Sequence, residues 1–423
     1  MVKDNNRRMK DSGIPWIGMI PSDWEVEPIG RNIHEVDNPN VGGTETNALQ
    51  FKAGTIISKS VGDSKYHPTT LEAYNVVDEG VIMLNGLNLS FDLISQRVGL
   101  VQEKGVITSA YLAIKPNEQI KSEFLTYLFK AYDARKALHA MGKGLRQTLA
   151  WKELKCYSVV YPPLLTQQRI ADFLDRKCAE IDELVALQQT MIAELKRYKQ
   201  SLITEAVTKG LDPNVAMKDS GVEWIGEIPE AWEVNLLGSL FTEHKLKNDN
   251  LAETNLLSLS YGKIIRKNID SVGGLLPMSY EGYNIIDRND IVLRMTDLQN
   301  DHKSLRTGLC KERGIITSAY ITIRLRAKQN SEYLHYLLHS YDINKVFYGM
   351  GDGVRQGINF ADIKSLLLLC PPLTEQRIIA DYLDKKCAEI DELIAIKQQK
   401  IEALKEYKKS VIFEYVTGKK EII

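Results

Sequence analysis

A chain of 423 residues with a formal charge of −1 is too long for one ordinary core and too evenly charged to coat nucleic acid or anionic membrane indiscriminately. Two or three domains are expected, and any nucleic-acid binding must be local. The cysteines, Cys156, Cys178, Cys310, Cys370 and Cys387, show no CxxC or Cys/His spacing, which argues against a metal site or a disulfide framework and for a reduced, cytoplasmic setting. The opening MVKDNNRRMKD lacks an apolar signal region, and no stretch approaches the roughly 18 apolar residues that span a bilayer. A soluble protein is expected.

The chain is one unit written twice. MKDSG begins at Met9 and again at Met217, 208 positions on, and KCAEIDEL begins at Lys177 and again at Lys386, 209 on. Between them YNVVD at Tyr74 answers YNIID at Tyr283, GVITSAY at Gly105 answers GIITSAY at Gly314, and MGKGLRQ at Met141 answers MGDGVRQ at Met350. The one-residue slip falls between about residues 60 and 68, where a loop absorbs it at little entropic cost.

Taken in chain order, each unit opens with short β-type runs, at 48–51, 80–84, 106–114 and 157–161 in the first copy, and holds one internal helix, predicted over 122–138 and again over 331–347. Strand runs followed by a helix argue for α+β modules rather than a βαβ array. After PPL at Pro162 and Pro371 comes a long segment free of Gly and Pro, 167–209 and then 376 to about 418. Its apolar residues recur in steps of three and four: Ile181, Leu184, Val185, Met191, Ile192, Leu195, Tyr198 and Leu202, then Ile390, Leu393, Ile394, Ile401, Leu404, Tyr407 and Val411. Such helices are rods of roughly 60 Å whose stripe needs a partner helix, and the other copy is the obvious one. Because the segment after the first rod repeats the segment that opens the chain, the second rod should return antiparallel and end near the chain start, making a pseudo-twofold object. The expected layout is a module over 1–165, a spacer helix over 166–210, a second module over 211–374 and a second helix over 375–423. Residues 47–155 carry 14 Lys/Arg against 10 Asp/Glu and residues 255–364 carry 15 against 11, so the modules are the basic parts.

Two modules, each opened by SGxxWIGxIPxxW and closed by PPL, a Gln, IA, then FLD or YLD with KCAEIDEL on a long helix, resemble the specificity subunit of a type I restriction-modification system over essentially the whole chain. The first copy carries Thr166 where the second has Glu375. The resemblance implies a non-catalytic subunit that recognises a bipartite double-stranded DNA target, one half-site per target recognition module. It implies two modification subunits as partners, which methylate adenine with S-adenosylmethionine, and restriction subunits as well; no cofactor is expected on this chain. Two readers joined by a coiled coil suit such a target, because equivalent major-groove faces recur every 10 to 10.5 base pairs, about 34–36 Å.

Where the copies agree, shared scaffold or phosphate contacts are expected; where they diverge, base reading is. The divergent stretches are 51–70 against 259–279 and 84–97 against 293–306. They offer Lys52, Lys59, Lys65, Tyr66, His67, Asn85, Asn88 and Arg97 in one copy, and Tyr261, Lys263, Arg266, Lys267, Arg294, Asp297, Gln299, Asn300, Lys303 and Arg306 in the other. Arg and Lys suit guanine, Asn and Gln adenine, and Asp cytosine, so different sets imply different half-sites and an asymmetric target. Arg146-Gln147 and Arg355-Gln356 sit in matching Gly-rich loops, where glycine permits close backbone approach. The plain readings stand beside these: any single charged loop residue is more readily a solvated surface group, and for the Arg-Gln pairs the plain role is loop closure. Thr108-Ser109 and Thr317-Ser318 fit a phosphate contact or a strand-end turn equally well. Trp16, Trp24, Trp224 and Trp232 read as packing anchors, and Cys178 and Cys387 as coiled-coil filler.

The sequence contains no GxxxxGK[ST] loop, no Asn- or Asp-Pro-Pro-aromatic motif, no glycine-rich cofactor fingerprint and no metal cluster. Catalysis is therefore expected to come from partner chains, and neither catalytic nor metal-binding residues are expected on this one. The other class of reading is a coiled-coil scaffold or adaptor whose basic modules bind proteins without sequence-specific DNA recognition.

Overall fold

In the computed structural model the described residues are 7–52, 54–59, 71–144, 147–268, 279–298, 300–301, 304–326, 328–350 and 357–422. They divide into two units, residues 1–189 with 399–423, and residues 190–398. Four helices organise them: α1 Ser122–Ala134, α2 Leu164–Lys209, α3 Ser331–Ile343 and α4 Leu373–Val416. The helices α2 and α4 contain 46 and 44 residues, and each unit contains one end of both.

In the first unit an antiparallel sheet runs in the order β1–β4–β2–β3, with β1 Ile33–Glu35, β2 Ile82–Leu84, β3 Val98–Leu100 and β4 Leu112–Pro116. Alternation along β2 points Ile82 and Leu84 to the α1 side, where they meet Phe124, Leu125 and Leu128, while Met83 faces a second cluster with Leu49, Ile56, Val77 and Ile107. Both faces of β2 are covered, which is why the sequence there reads as a continuous apolar run. The second cluster is built by a hairpin, Leu49–Lys52 with Thr55–Ser58, and by the pair Tyr74–Val77 with Gly105–Thr108.

The second unit repeats the plan. Its sheet order is β5–β8–β6–β7, with β5 Phe241–Glu243, β6 Ile291–Leu293, β7 Thr307–Leu309 and β8 Ile321–Leu325. The α3 residues Leu334, Leu337 and Leu338 cover one face of this sheet, and the hairpin Leu257–Ser260 with Lys263–Arg266 belongs to the other.

Three local expectations are corrected. The run at 106–114 is two strands, because Tyr111 N–H bonds the Thr108 carbonyl at 3.4 Å and turns the chain between them. The helix expected over 122–138 stops at Ala134, where Lys136 takes a left-handed φ of 60° and starts a short helix, Ala137–Met141. Lys345, with φ 61°, ends α3 in the same way, short of the expected 347. The Thr108 hydroxyl oxygen accepts from Ala110 N–H at 3.3 Å, as Thr317 does from Ala319, so these residues make strand-end turns. Trp24 and Trp232 are fully buried, and Trp16 and Trp224 pack edge-on against Tyr132 and Tyr341, as anchors should.

The two long helices pair within each unit. In the first, Phe173 packs on Tyr415 and Asp182 bonds Lys408 at 2.7 Å; in the second, Lys397 reaches Met191 and Lys199 bonds Asp391 at 2.7 Å. As numbers rise along α2 they fall along α4, so both pairings are antiparallel. The covered positions step by four and three, Ile181, Val185, Gln188, Ile192 and Leu195 on α2 and Ile390, Ile394, Lys397, Ile401 and Leu404 on α4, the spacing of a coiled-coil seam. Leu184, Tyr198, Leu393 and Tyr407, which the simple stripe includes, lie outside that seam and are exposed.

Each helix entry is fixed by one glutamine. Gln167 is fully buried; its side-chain oxygen accepts from Lys121 N–H at 2.7 Å, and its amide donates to the carbonyls of Gln119 at 3.0 Å and Pro162 at 2.8 Å. Gln376 repeats this with Asn330 N–H at 2.9 Å and the Pro371 carbonyl at 2.8 Å. At the other end, Val411, Ile412, Phe413 and Val416 enter the core of the first unit beside Trp24. There Gly418, at φ 68°, lies so close that an added Cβ would meet Pro21 at 2.4 Å, and Lys419 Nζ bonds the Met19 carbonyl at 2.9 Å. The second rod therefore ends against the chain start, as the repeat implies.

Candidate nucleic-acid interface

Three segments of each unit come into contact. In the first unit they are the β2–β3 loop, the hairpin around Lys52 and the Gly-rich segment at 142–144 and 147–148. Leu89 N–H bonds the Gln147 carbonyl at 3.0 Å and Leu149 N–H bonds the Gly86 carbonyl at 2.9 Å. Glycine lets the two strands of chain approach closely here, since a Cβ on Gly86 would stand 2.3 Å from the Leu149 carbonyl oxygen. Gly54 in the hairpin turn lies against Gln96, and Gly99 against Phe51 and Ile56. In the second unit Gly262 lies against Leu305 and Gly308 against Leu259 and Ile264, while Ile358 N–H bonds the Met295 carbonyl at 2.9 Å.

Two residues expected at the DNA are elsewhere. Arg97 is 1% exposed and its guanidinium is spent on carbonyls: Nη1 donates to Asn85 at 3.0 Å and Leu87 at 2.8 Å, and Nη2 to Asp92 at 2.7 Å. Arg306, fully buried, donates from Nη1 to Arg294 at 3.1 Å and Thr296 at 2.8 Å, from Nη2 to Asp301 at 2.5 Å, and from Nε to the Tyr348 hydroxyl at 2.9 Å. The backbone N–H of each bonds a buried aspartate, Asp133 at 3.0 Å and Asp342 at 2.6 Å, whose carboxyls burial pushes up from the usual range. A guanidinium so enclosed cannot reach a base edge; it braces the loop from within. Their signal was present in the sequence, since both copies keep Arg at this position, as they keep Leu84/Leu293, Leu89/Leu298, Asp92/Asp301 and Ser95/Ser304, in a stretch that otherwise diverges.

The remaining described candidates lie on or near the surface. Lys52, Asn88, Tyr261, Lys263, Arg266, Lys267 and Asn300 are exposed, and Lys59, Asn85, Gln147 and Arg294 half-buried. Asn88, Gln147 and Tyr261 adopt positive φ, 51°, 42° and 47°, a conformation few side-chain-bearing residues take outside tight turns. Lys263 pairs with Asp391 of α4 at 3.3 Å, Arg266 with Glu312, and Arg294 with Asp301 at 3.5 Å. Exposed pairs of this kind are worth about 0–1 kcal/mol, so the Lys263 and Arg266 pairs can yield to a phosphate. The Asn300 amide donates to Asp297 at 2.7 Å, and these two residues with Thr296 and Gly357 line a depression of about 550 Å³. Lys65, Tyr66, His67, Arg146, Gln299, Lys303, Arg355 and Gln356 lie outside the described residues.

Among the described residues, His244, Asp287 and Asp290 come together with metal-like geometry. Arg324 donates to Asp287 and Asp290 at 2.7 Å each, and Arg313 to Asp287 at 2.7 Å. The carboxylates are thereby matched by guanidinium groups, and the cluster reads as an ion-pair network on the second unit. The described helices include none long and apolar enough to cross a membrane.

The duplicated frame and its sequence define a class. The family model for the type I restriction modification DNA specificity domain matches residues 98–197 and 229–406, more than half of the chain, and the chain belongs to that family. Among relatives, it is 25% identical over 424 residues to the putative type I restriction enzyme MjaX specificity subunit of Methanocaldococcus jannaschii, covering 95% of each chain. It is 24% identical over 423 residues to the MjaVIII specificity subunit of the same organism, covering 95% of this chain and 93% of that one. The fold is similar to that of a chain solved in work on complex assembly and conformational transition of the type I R-M system, with TM-score 0.69, 14% identity and coverage of 94% and 99%. It is also similar to the HsdS subunit of Thermoanaerobacter tengcongensis, with TM-score 0.51, 15% identity and coverage of 94% and 98%.

Proposed function

We propose that this chain is the non-catalytic specificity subunit of a type I restriction-modification complex and recognises an asymmetric bipartite site in double-stranded DNA, one half-site per unit. The observation that carries this reading is a frame built twice with different side chains on it. The same arginine brace, the same sheet order and the same glycine contacts recur, while the exposed residues on the loops differ. Base contacts specify and phosphate contacts position, so a common frame with unlike loops is what two different half-sites require. Lys52, Lys263, Arg266 and Lys267 suit phosphates or guanine, and Asn88 and Asn300 suit adenine. The two modification subunits, which would carry S-adenosylmethionine, and the restriction subunits are the partners this reading assigns, in the cytoplasm. The layout of recognition modules over 1–165 and 211–374, with spacer helices over 166–210 and 375–423, belongs to the same proposal. The paired helices then set the gap between half-sites.

A nuclease footprint of the full chain assembled with its modification subunits tests it. Two short protected blocks flanking an indifferent gap are expected. Protection without sequence preference that vanishes uniformly as salt rises would leave the adaptor reading in its place.

A further inference from the structure

The loops joining β2 to β3 and β6 to β7 have equal length and the same internal brace, yet their tips carry opposite chemistry. The first reads Phe91-Asp92-Leu93-Ile94; the positions 209 further on are Asn300-Asp301-His302-Lys303. Phe91 is 78% exposed, Leu93 58% and Ile94 94%. A lone exposed apolar residue needs no explanation, but three within four residues form a patch, and contiguous apolar patches mark contact surfaces.

This tip is held in shape. Phe91 N–H bonds the Asn88 carbonyl at 3.1 Å, and the Asp92 carboxylate accepts from the N–H groups of Ile94 at 3.1 Å and Ser95 at 2.9 Å. Arg97 grips the Asp92 carbonyl from inside, and Lys136 Nζ donates to the Leu93 carbonyl. The Arg97 charge is enclosed and faces the Asp92 carboxylate at 3.7 Å, so Lys136 supplies the cation at the base of the tip, and Phe91, Leu93 and Ile94 make its crest apolar. Through Leu89 it is continuous with the Gly-rich turn that contains Lys143 and Gln147. A duplex offers the complement to both features, anionic phosphates for the base and, for the crest, the one apolar group that a base edge presents in the major groove, the thymine 5-methyl.

We infer that Phe91 and Ile94 read thymine through its 5-methyl group in the half-site of the first unit. The inference rests on the reading of the chain as a DNA specificity subunit and goes beyond it by assigning a base to named residues. The second unit, with Asn300 at the matching position, lacks this apolar crest, which is a concrete source of asymmetry between the half-sites.

The test replaces each thymine of the first half-site in turn by deoxyuridine, which lacks only the methyl group, and measures binding by the full chain assembled with its modification subunits. At least one replacement should weaken binding by the wild-type protein about fourfold, the worth of one buried carbon. The same replacement should have no further effect on a Phe91→Ser, Ile94→Ser double variant, while replacements in the other half-site should affect both proteins alike. Wild-type binding that is indifferent to every uracil overturns the inference without needing any variant, as does a first half-site with no A·T pair. A double variant as uracil-sensitive as the wild type also overturns it. If the variant keeps its DNA preference but no longer assembles with the modification subunits, the tip is a protein contact and the inference fails. Absence of any sequence preference in the wild-type complex would instead sink the specificity-subunit reading itself.

Discussion

An arginine that reads guanine must present its fork to the groove, and Arg97 and Arg306 present theirs to carbonyl oxygens of their own loops. Arg97→Met should leave the chain folded and recognition of the second half-site intact, and should weaken recognition of the first at least tenfold as the loop loses its brace. Lys at this position should not rescue, because a single ammonium cannot bridge carbonyls that a planar fork holds together. Half-site binding on duplexes with one half scrambled reads both outcomes, and equal loss at the two halves would contradict the local role. A second residue-scale prediction concerns acid. Burial and the neighbouring His339 hold His335 down at about 3, and burial holds His339 at about 4; the His335 Nε2 is buried with no partner. Both side chains stay neutral when folded but gain protons when unfolded below about pH 6.5. Their contribution is therefore present at neutral pH and is lost as pH falls from about 6.5 towards 4. The matching positions in the first unit are Thr126 and Lys130, so the second unit should melt first on acidification. His335→Thr should flatten that dependence, checked by melting curves between pH 7 and pH 4.5.

At the scale of elements, the long helices were legible because nothing in them breaks a helix and their apolar steps are regular. Which side faces the partner was less so: Leu184 and Tyr198 fit a three-and-four stripe, but the seam follows Ile181, Val185, Gln188 and Ile192, which a continuous 3.5-residue repeat selects. The stop at Lys136 carries no glycine or proline to announce it. Charge was an incomplete guide to the interface, since it drew attention to Arg97, which is inside, and away from Phe91 and Ile94, which are outside. Gln167 and Gln376 stood in the family motif, but their burial depends on backbone brought from some 46 positions away. Gln167→Leu should cost about 2–4 kcal/mol, leaving Lys121 N–H and two carbonyls without partners, and would show in chemical denaturation. Seven residues inserted into both long helices keep the seam in register and add about 10 Å, or about three base pairs. The gap should widen by that amount with both half-sites unchanged, and an altered half-site in a map of methylated adenines would count against a ruler.

For the whole molecule, two frames with independent loops predict modular specificity. Replacing residues 217–374 with the corresponding segment of another family member should change one half of the methylated motif and leave the other as it was. A change in both halves would show that the units do not read independently. The repeat also explains how a chain of near-zero charge can hold DNA, since its positive charge is concentrated in residues 47–155 and 255–364 and compensated elsewhere.

The first unit is completed by residues 399–423, and Val411, Ile412 and Val416 belong to its core. The second unit, residues 190–398, is contiguous. During synthesis the order of completion is then reversed from the usual one, in which N-terminal domains finish first: the second unit can close while the first still waits for its last helical turns. A chain stopped at 398 should hold a folded second unit behind a first unit with Trp24 uncovered, a target for proteases. Supplying the missing helix as a separate peptide should restore protection, so that only a chain read to its end acquires both halves of its DNA address.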